Sequence, residues 1–143
     1  MVKRLVRNQR GAALLETAIT IPIILLISVA IFEFGRAYQT WQVLTNASRE
    51  GARIAIIAGT TDAEITNAVR NYLSRGRLAN PGAAQVNLVR NVPLTIGTAS
   101  QITVSYPFNF IVLNPVARLV VRGSNTGSSG LTMQSVSIMR NES

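Results

Sequence analysis

A run of apolar residues near the amino terminus constrains this chain more than any other feature. From Ala12 to Phe32 the sequence reads AALLETAITIPIILLISVAIF, twenty-one residues in which Glu16 is the only ionisable side chain. An α-helix of this length rises about 30 Å, which matches the hydrocarbon core of a bilayer. The run therefore predicts a transmembrane helix.

The charge of the chain predicts the orientation of this helix. The formal net charge is +8, and four cations with no acid stand before the run, namely Lys3, Arg4, Arg7 and Arg10. Positively charged flanks stay on the cytoplasmic side of a membrane. We expect a basic leader over residues 1–11, a cytoplasmic amino terminus, and an extracytoplasmic head after a single membrane pass.

Composition argues against an enzyme. The chain has no cysteine and no histidine, which excludes disulfides, thiolate metal sites and the commonest acid/base side chain. Residues 123–130 are rich in glycine but lack the lysine of a phosphate-binding loop. The acidic residues outside the apolar run show no spacing typical of metal ligands or of a catalytic pair. We expect no catalytic residue, no cofactor and no metal.

A cleaved secretory signal peptide is the simplest alternative to a membrane anchor. Ser28-Val29-Ala30 has the small residues that signal peptidase prefers, and cleavage there would leave Ile31 as the first residue. The apolar run is longer than a typical signal core of about 7 to 15 residues, and Glu16 interrupts it early. Both features favour the anchor.

Glu16 is the most informative residue of the run. A carboxylate in hydrocarbon costs about 2 to 4 kcal/mol, so such a group usually has a cationic partner. Cleavage after Gly11 would create a protonated α-amino group on Ala12, four residues before Glu16. Gly11, Ala12 and Glu16 therefore form a candidate cleavage and pairing unit.

These residues resemble a known processing site. A basic leader, Gly11, two small residues and a glutamate at the fifth position after the glycine are similar to the cleavage site of type IV prepilins. The likeness extends through RGAALLETA, Pro22, the FEFGRA block at 32–37 and LTNASREGAR at 44–53. Over roughly the first 60 residues, and more weakly over the last 45 with MRNE at 139–142, the chain resembles the TadE-like family.

The resemblance implies a structural role. Such a protein is a minor pilin or pseudopilin of the tight-adherence (Tad, Flp, type IVc) pilus, which supports surface adhesion and biofilm formation. Its implied partners are a prepilin peptidase that cuts after Gly11, other pilin subunits, the assembly platform, bacterial inner-membrane lipid, and copies in a filament. Thr17 stands where Flp major pilins carry an aromatic residue, and those pilins are far shorter. A filament-forming major pilin stays an alternative.

The helix is expected to continue beyond the membrane. Apolar residues recur at helical spacing after Phe32, which predicts one helix from Ala12 to near Ala58, ended by Gly59. Residues 12–35 form its transmembrane and assembly half, and residues 36–143 form its amphipathic half and the head. Pro22 lacks an amide hydrogen, so we predict a kink there that loosens the helix for assembly.

Side chains of the upper helix give more local expectations. Glu33 and Arg36, and likewise Glu50 and Arg53, are three positions apart and predict local ion pairs. The aromatic residues Tyr38 and Trp41 are expected either at the membrane interface or in the core.

The rest of the chain predicts an α+β head. Thr61-Asp62-Ala63-Glu64 has capping-box spacing and predicts a second helix over Asp62–Ser74. Alternating apolar residues at 86–88 and 102–106 predict strands, a short strand or helix end is expected at 119–121, and a last strand at 131–139, after a loop at 123–130. The expected architecture is a type IV pilin-like lollipop whose head has a second helix and a three- or four-stranded antiparallel sheet.

Three arginines suggest an alternative function. Arg70, Arg75 and Arg77 cluster near the end of the second helix, where they suit the helix carboxyl terminus and solvent. They also fit surface contact with an anionic partner, although nucleic acid is not the favoured one. The alternative is a membrane-tethered adhesin or DNA-binding module with no assembly role.

Overall fold

The computed structural model describes residues 9–112, 114–115 and 130–141 of the 143-residue chain. Its elements, in chain order, are helix α1 (Gln9–Ala55), helix α2 (Asp62–Arg75), a short 3₁₀ turn (Pro81–Ala83), and strands β1 (Gln85–Pro93), β2 (Thr98–Phe108) and β3 (Leu131–Arg140). A long amino-terminal helix thus carries a small α+β head. The predicted lollipop architecture is confirmed.

Helix α1 has 47 residues, which corresponds to a length of about 70 Å. It is helical from the first described residue, Gln9, and so includes the predicted start at Ala12. It ends at Ala55, three residues before the predicted Ala58. The Arg90 guanidinium donates to the Ala55 carbonyl at 3.3 Å, and Gly59 has a left-handed φ of +84° four residues later.

The apolar half of α1 is a single uninterrupted helix. It continues through Pro22 without a break, and the kink predicted there stays a prediction. Hydroxyl groups in this half donate to the carbonyl four residues earlier, as Thr17 does to Ala13 at 2.8 Å and Ser28 to Ile24 at 2.9 Å. Such bonds satisfy polar side chains inside an apolar segment without a partner from elsewhere.

Burial divides α1 into two halves. Side chains of the apolar run are exposed to the surroundings, from Leu14 at 72% to Phe32 at 80%. This helix is long and apolar enough to cross a membrane. Beyond it, α1 contributes buried side chains such as Leu44 and Ala47 to the core of the head. Tyr38 and Trp41 are exposed, so a core position is wrong for both, and their place at a membrane interface stays a prediction.

The sheet is antiparallel, with β2 between β1 and β3. In its register Leu88 pairs with Ile102, and Ile102 pairs with Ser137, so these three side chains face the helices. Helix α1 packs on β2, β3 and α2. The described residues contain three strands, within the predicted range, whereas the predicted element at 119–121 and loop residues 123–129 lie outside the described residues.

Helix α2 forms as its sequence predicts, over Asp62–Arg75. The Thr61 amide donates to the Glu64 carboxylate at 2.8 Å, and the Glu64 amide donates to the Thr61 hydroxyl at 3.3 Å. The backbone hydrogen bond from Thr61, followed by its hydroxyl, lowers the pKa of Glu64. The apolar stripe of α2 is buried in the core, with Ile65, Val69 and Leu73 at 0% exposure.

A buried polar cluster joins α1 to β3. The Ser48 hydroxyl lies 2.9 Å from the Thr45 carbonyl, 3.0 Å from the Ser135 hydroxyl and 2.9 Å from the Ser137 hydroxyl. One hydroxyl carries one proton, so Ser48 donates to Thr45 and accepts from the two serines of β3. These bonds fix where the helix sits along the strand.

Candidate functional site

The predicted cleavage site lies at the start of α1. Gly11 and Ala12 are helical and exposed, two and three residues after the helix begins at Gln9. Residues 1–8 of the predicted leader lie outside the described residues.

Glu16 stands on an exposed apolar surface. Its neighbours Leu15 and Ile19 are 67% and 59% exposed, and its backbone carbonyl accepts a hydrogen bond from Thr20. Within the part of the chain that the structure describes, no side chain or amide donates to the Glu16 carboxylate. The apolar surroundings make this carboxylate the ionisable group of the described apolar run whose charge is not compensated within the described residues.

The three arginines do not form one surface. Arg70 and Arg75 are both exposed on α2 but five positions apart, which places them about 140° apart around the helix axis. Arg77 follows the helix with a left-handed φ of 56°. Arg75 and Arg77 line different clefts, so the structure gives each arginine its own surroundings.

Arg77 lines a cleft of about 490 Å³ near the carboxyl end of β2. Arg36 of α1, Asn80, and Tyr106 and Phe108 of β2 also line it. Two cations lie here, and no acidic side chain is among the described lining residues. Arg36 forms an ion pair with Glu33 at 2.8 Å, so of these two cations only Arg77 has no acidic partner among the described residues.

A second glutamate forms a junction between α1 and the sheet. Glu33 directly follows the apolar run and is only 5% exposed. Its carboxylate accepts the backbone amides of Ile111 and Val112, each at 2.7 Å, and the Arg36 guanidinium at 2.8 Å. Three charge-assisted hydrogen bonds thus compensate a carboxylate removed from water.

Arg36 extends this junction to the end of β2. It also donates to the Asn109 carbonyl at 2.5 Å, and its guanidinium lies 4.5 Å from the centre of the Phe108 ring. The Phe110 ring packs edge-to-face against Phe108, with ring centres 5.2 Å apart. The junction therefore combines ionic, cation–π and aromatic contacts.

The sequence predicted only part of this junction. The local pairs Glu33–Arg36 and Glu50–Arg53 are confirmed, at 2.8 and 2.7 Å. The Arg53 side chain, by its hydrogen bonds, lowers the pKa of the Glu50 carboxyl. The link from Glu33 to Ile111 was missed, and its one sequence signal is a glutamate placed directly after an apolar run.

Among the described residues there is no cluster of side chains suited to a metal ion.

The fold and these sites define a class of protein, in which one exposed apolar helix carries a small α+β head. A family model described as "TadE-like protein" matches residues 11–53, which covers nearly all of α1. The resemblance to TadE-like pilins of the Tad system is thus confirmed over that helix, and this family is structural rather than enzymatic. No curated protein and no solved structure matches the chain.

Proposed function

We propose that this protein is a pilin-like subunit, a pseudopilin or minor pilin, that serves assembly of a Tad type IV pilus. In this proposal residues 12–35 anchor it in the bacterial inner membrane and later pack within the assembly. Residues 36–143 provide the upper helix and the extracytoplasmic head. The TadE-like match over residues 11–53 and the fully exposed apolar half of α1 support this role. Surface adhesion and biofilm formation follow from the pilus.

The observation that carries the proposal is Glu16 on the exposed apolar surface of α1, where no donor among the described residues reaches its carboxylate. An exposed helix in hydrocarbon gains nothing from a carboxylate unless another molecule supplies the cation. The α-amino group of Ala12 on a neighbouring subunit, created by a prepilin peptidase that cuts after Gly11, has the right charge at nearly the same level of the helix. A buried ion pair of this kind specifies alignment more reliably than it adds stability.

Glu16→Gln tests this pairing. The amide is nearly the same size but carries no charge, so we expect wild-type amounts in the membrane and loss of incorporation into the sheared surface fraction. Thr17→Gln is the matched control, because it adds an amide at the next exposed position and keeps the carboxylate. Normal incorporation of the Glu16→Gln protein would refute the pairing.

The amino terminus of the native protein tests the processing step. We expect intact mass and terminal sequencing of protein from the native envelope and the sheared surface fraction to begin at Ala12. An intact Met1 would favour a tethered module, and Ile31 would indicate an ordinary secreted domain. The abundance of the chain in sheared filaments separates a minor subunit, present in trace, from a major pilin that forms the shaft.

Pro22 is proposed to assist transfer of the helix from the bilayer to the filament. Because Pro22 has no amide hydrogen, the Ala18 carbonyl does not receive its usual helical hydrogen bond. The loss of this bond lowers the stiffness of the helix at that turn. We expect Pro22→Ala to insert normally and to assemble more slowly. Unchanged assembly kinetics would exclude this role.

The second candidate is a membrane-tethered adhesin or DNA-binding module. The exposed Arg70, Arg75 and Arg77, of which Arg77 lines the larger cleft described above, are the observation that favours it. Replacing Arg70, Arg75 and Arg77 with glutamine would then abolish binding to an anionic surface or to DNA, while Glu16→Gln would have no effect. The pilin proposal predicts the opposite pattern.

A further inference from the structure

The chain directly after β2 returns to α1 at the end of the apolar run. Residues 109–112, here termed the β2 exit loop, place the amides of Ile111 and Val112 at 2.7 Å from one oxygen of Glu33. Glu33 is the residue that follows Phe32, where the apolar run ends. The loop backbone is therefore fixed at the level where the helix leaves hydrocarbon.

The last two side chains of this loop, Ile111 and Val112, are apolar and exposed. Ile111 is 67% exposed and Val112 is 40% exposed. Both line a cleft of about 570 Å³ together with Val29, Ile31 and Phe32 of the apolar run. Val29 lies four residues before Glu33, or about 6 Å further into the run. The loop side chains thus lie beside the last turn of the membrane segment.

We propose that the β2 exit loop is a second membrane contact, with its apolar side chains seated in the lipid interface beside α1. This inference rests on the proposed anchoring of α1 in a membrane. Whatever surrounds Ile31 also surrounds Ile111, because both side chains line one cleft. The occupant of this surface is therefore lipid, which α1 requires at the same depth.

The hydrogen bonds of the loop fit this location. An unpaired backbone amide at membrane depth costs several kcal/mol, and lipid offers it no acceptor. Glu33 supplies that acceptor to both Ile111 and Val112. Arg36, with its side chain 39% exposed, lies one turn above, where its guanidinium can reach lipid phosphate groups. The head is thereby fastened to the membrane at two points, which fixes its orientation before assembly.

A matched control exists at the other end of the head. Ile96 is 72% exposed, and it lies in the turn between β1 and β2. Strand β2 has 11 residues, so its two ends are about 33 Å apart. Ile96 and Ile111 are equally exposed isoleucines at opposite ends of this strand. Only Ile111 is expected to contact lipid.

The test uses single cysteines, which the cysteine-free chain permits. The full chain carrying Ile111→Cys, Ile96→Cys or Ile27→Cys is labelled with an environment-sensitive fluorophore. Each protein is reconstituted in phosphatidylethanolamine and phosphatidylglycerol vesicles. We expect blue-shifted emission, quenching by spin-labelled lipid and loss of iodide quenching at positions 27 and 111, and the reverse at position 96.

The three positions separate this proposal from the proposed anchoring. Lipid protection at position 27 with iodide access at 111 would overturn the second contact while the anchor stands. Iodide access at position 27 would overturn both. Protection at 96 as well as at 111 would indicate burial of the whole head and would also overturn a contact specific to the loop.

A second variant tests how the loop is held. Glu33→Ala, placed in the Ile111→Cys protein, removes the acceptor of both loop amides, so we expect lipid quenching at position 111 to fall. Glu50→Ala breaks an ion pair with Arg53 on the same helix, away from the loop, and should leave that quenching unchanged. Equal quenching with Glu33→Ala and Glu50→Ala would overturn the role of Glu33.

Discussion

Two glycines of α1 test how closely the head packs on this helix. A Cβ atom added at Gly35 would meet nothing within 4 Å, whereas one added at Gly51 would lie 2.6 Å from a methyl group of Val69. Replacing an interior helix glycine with alanine normally stabilises a helix by about 0.5 to 1 kcal/mol. We therefore expect Gly35→Ala to stabilise α1 and to raise the free energy of unfolding by that amount.

Gly51→Ala is expected to lower the free energy of unfolding rather than raise it. Gly51→Ala brings the same gain in helix propensity. However, real Cβ atoms do not approach a neighbour to 2.6 Å, and a methyl group of Ile102 also lies only 3.3 Å away. Overpacking a close-packed site costs about 1 to 3 kcal/mol. The net effect of Gly51→Ala is then a loss of about 0 to 2.5 kcal/mol in the free energy of unfolding, and the two variants differ by about 1 to 3 kcal/mol.

Denaturant unfolding of the full chain in detergent, followed by the fluorescence of Trp41, measures both variants. The chain has one tryptophan, and it lies on the upper part of α1 beside the head. In the Val69→Ala background the clash is removed, so Gly51→Ala should become neutral or stabilising there. Equal stabilisation by Gly35→Ala and Gly51→Ala in the wild-type background would refute the packing argument.

Two further predictions concern the polar contacts of the head. Ser48→Ala leaves the hydroxyls of Ser135 and Ser137 without their acceptor, and should lower the free energy of unfolding by about 1 to 3 kcal/mol in the same denaturant assay. The folded state lowers the pKa of Glu64, so ionised Glu64 stabilises the fold. This contribution to stability is present above the pKa of Glu64 in the unfolded state and is lost as pH falls through its pKa in the folded state. The melting temperature of Glu64→Gln should therefore fall less than that of the wild type when the pH is lowered below about 4. The same dependence of melting temperature on pH in both proteins would exclude this contribution.

Local sequence rules predicted the elements of the head well. The capping box at Thr61 and Glu64 and the apolar stripe of α2 depend on residues three or four positions apart, which helix geometry alone brings together. Period-two alternation likewise gave β1 and β2 their inward faces, as at Leu88 and Ile102. These features need no knowledge of the tertiary structure.

The contacts that hold the head to α1 could not be predicted in this way. Glu33 and Ile111 are 78 positions apart, and Ser48 and Ser135 are 87 positions apart. Such pairs depend on the register of β2 and β3 and on where α1 crosses them, and local periodicity carries no information about either. The early end of α1 has the same origin, because Arg90 reaches Ala55 from β1.

Two glutamates, Glu16 within the apolar run and Glu33 directly after it, are compensated in different ways. Glu33 obtains two backbone amides and one guanidinium from its own chain, so its charge is satisfied in the isolated subunit and serves the internal structure. Glu16 has no such donor among the described residues, and its surroundings are exposed apolar side chains. A carboxylate in hydrocarbon is costly unless a cation pairs with it, and the proposed pairing with a neighbouring subunit would supply that cation. The same residue type therefore stabilises the subunit at one end of the run and, in the function proposed above, favours association near the other.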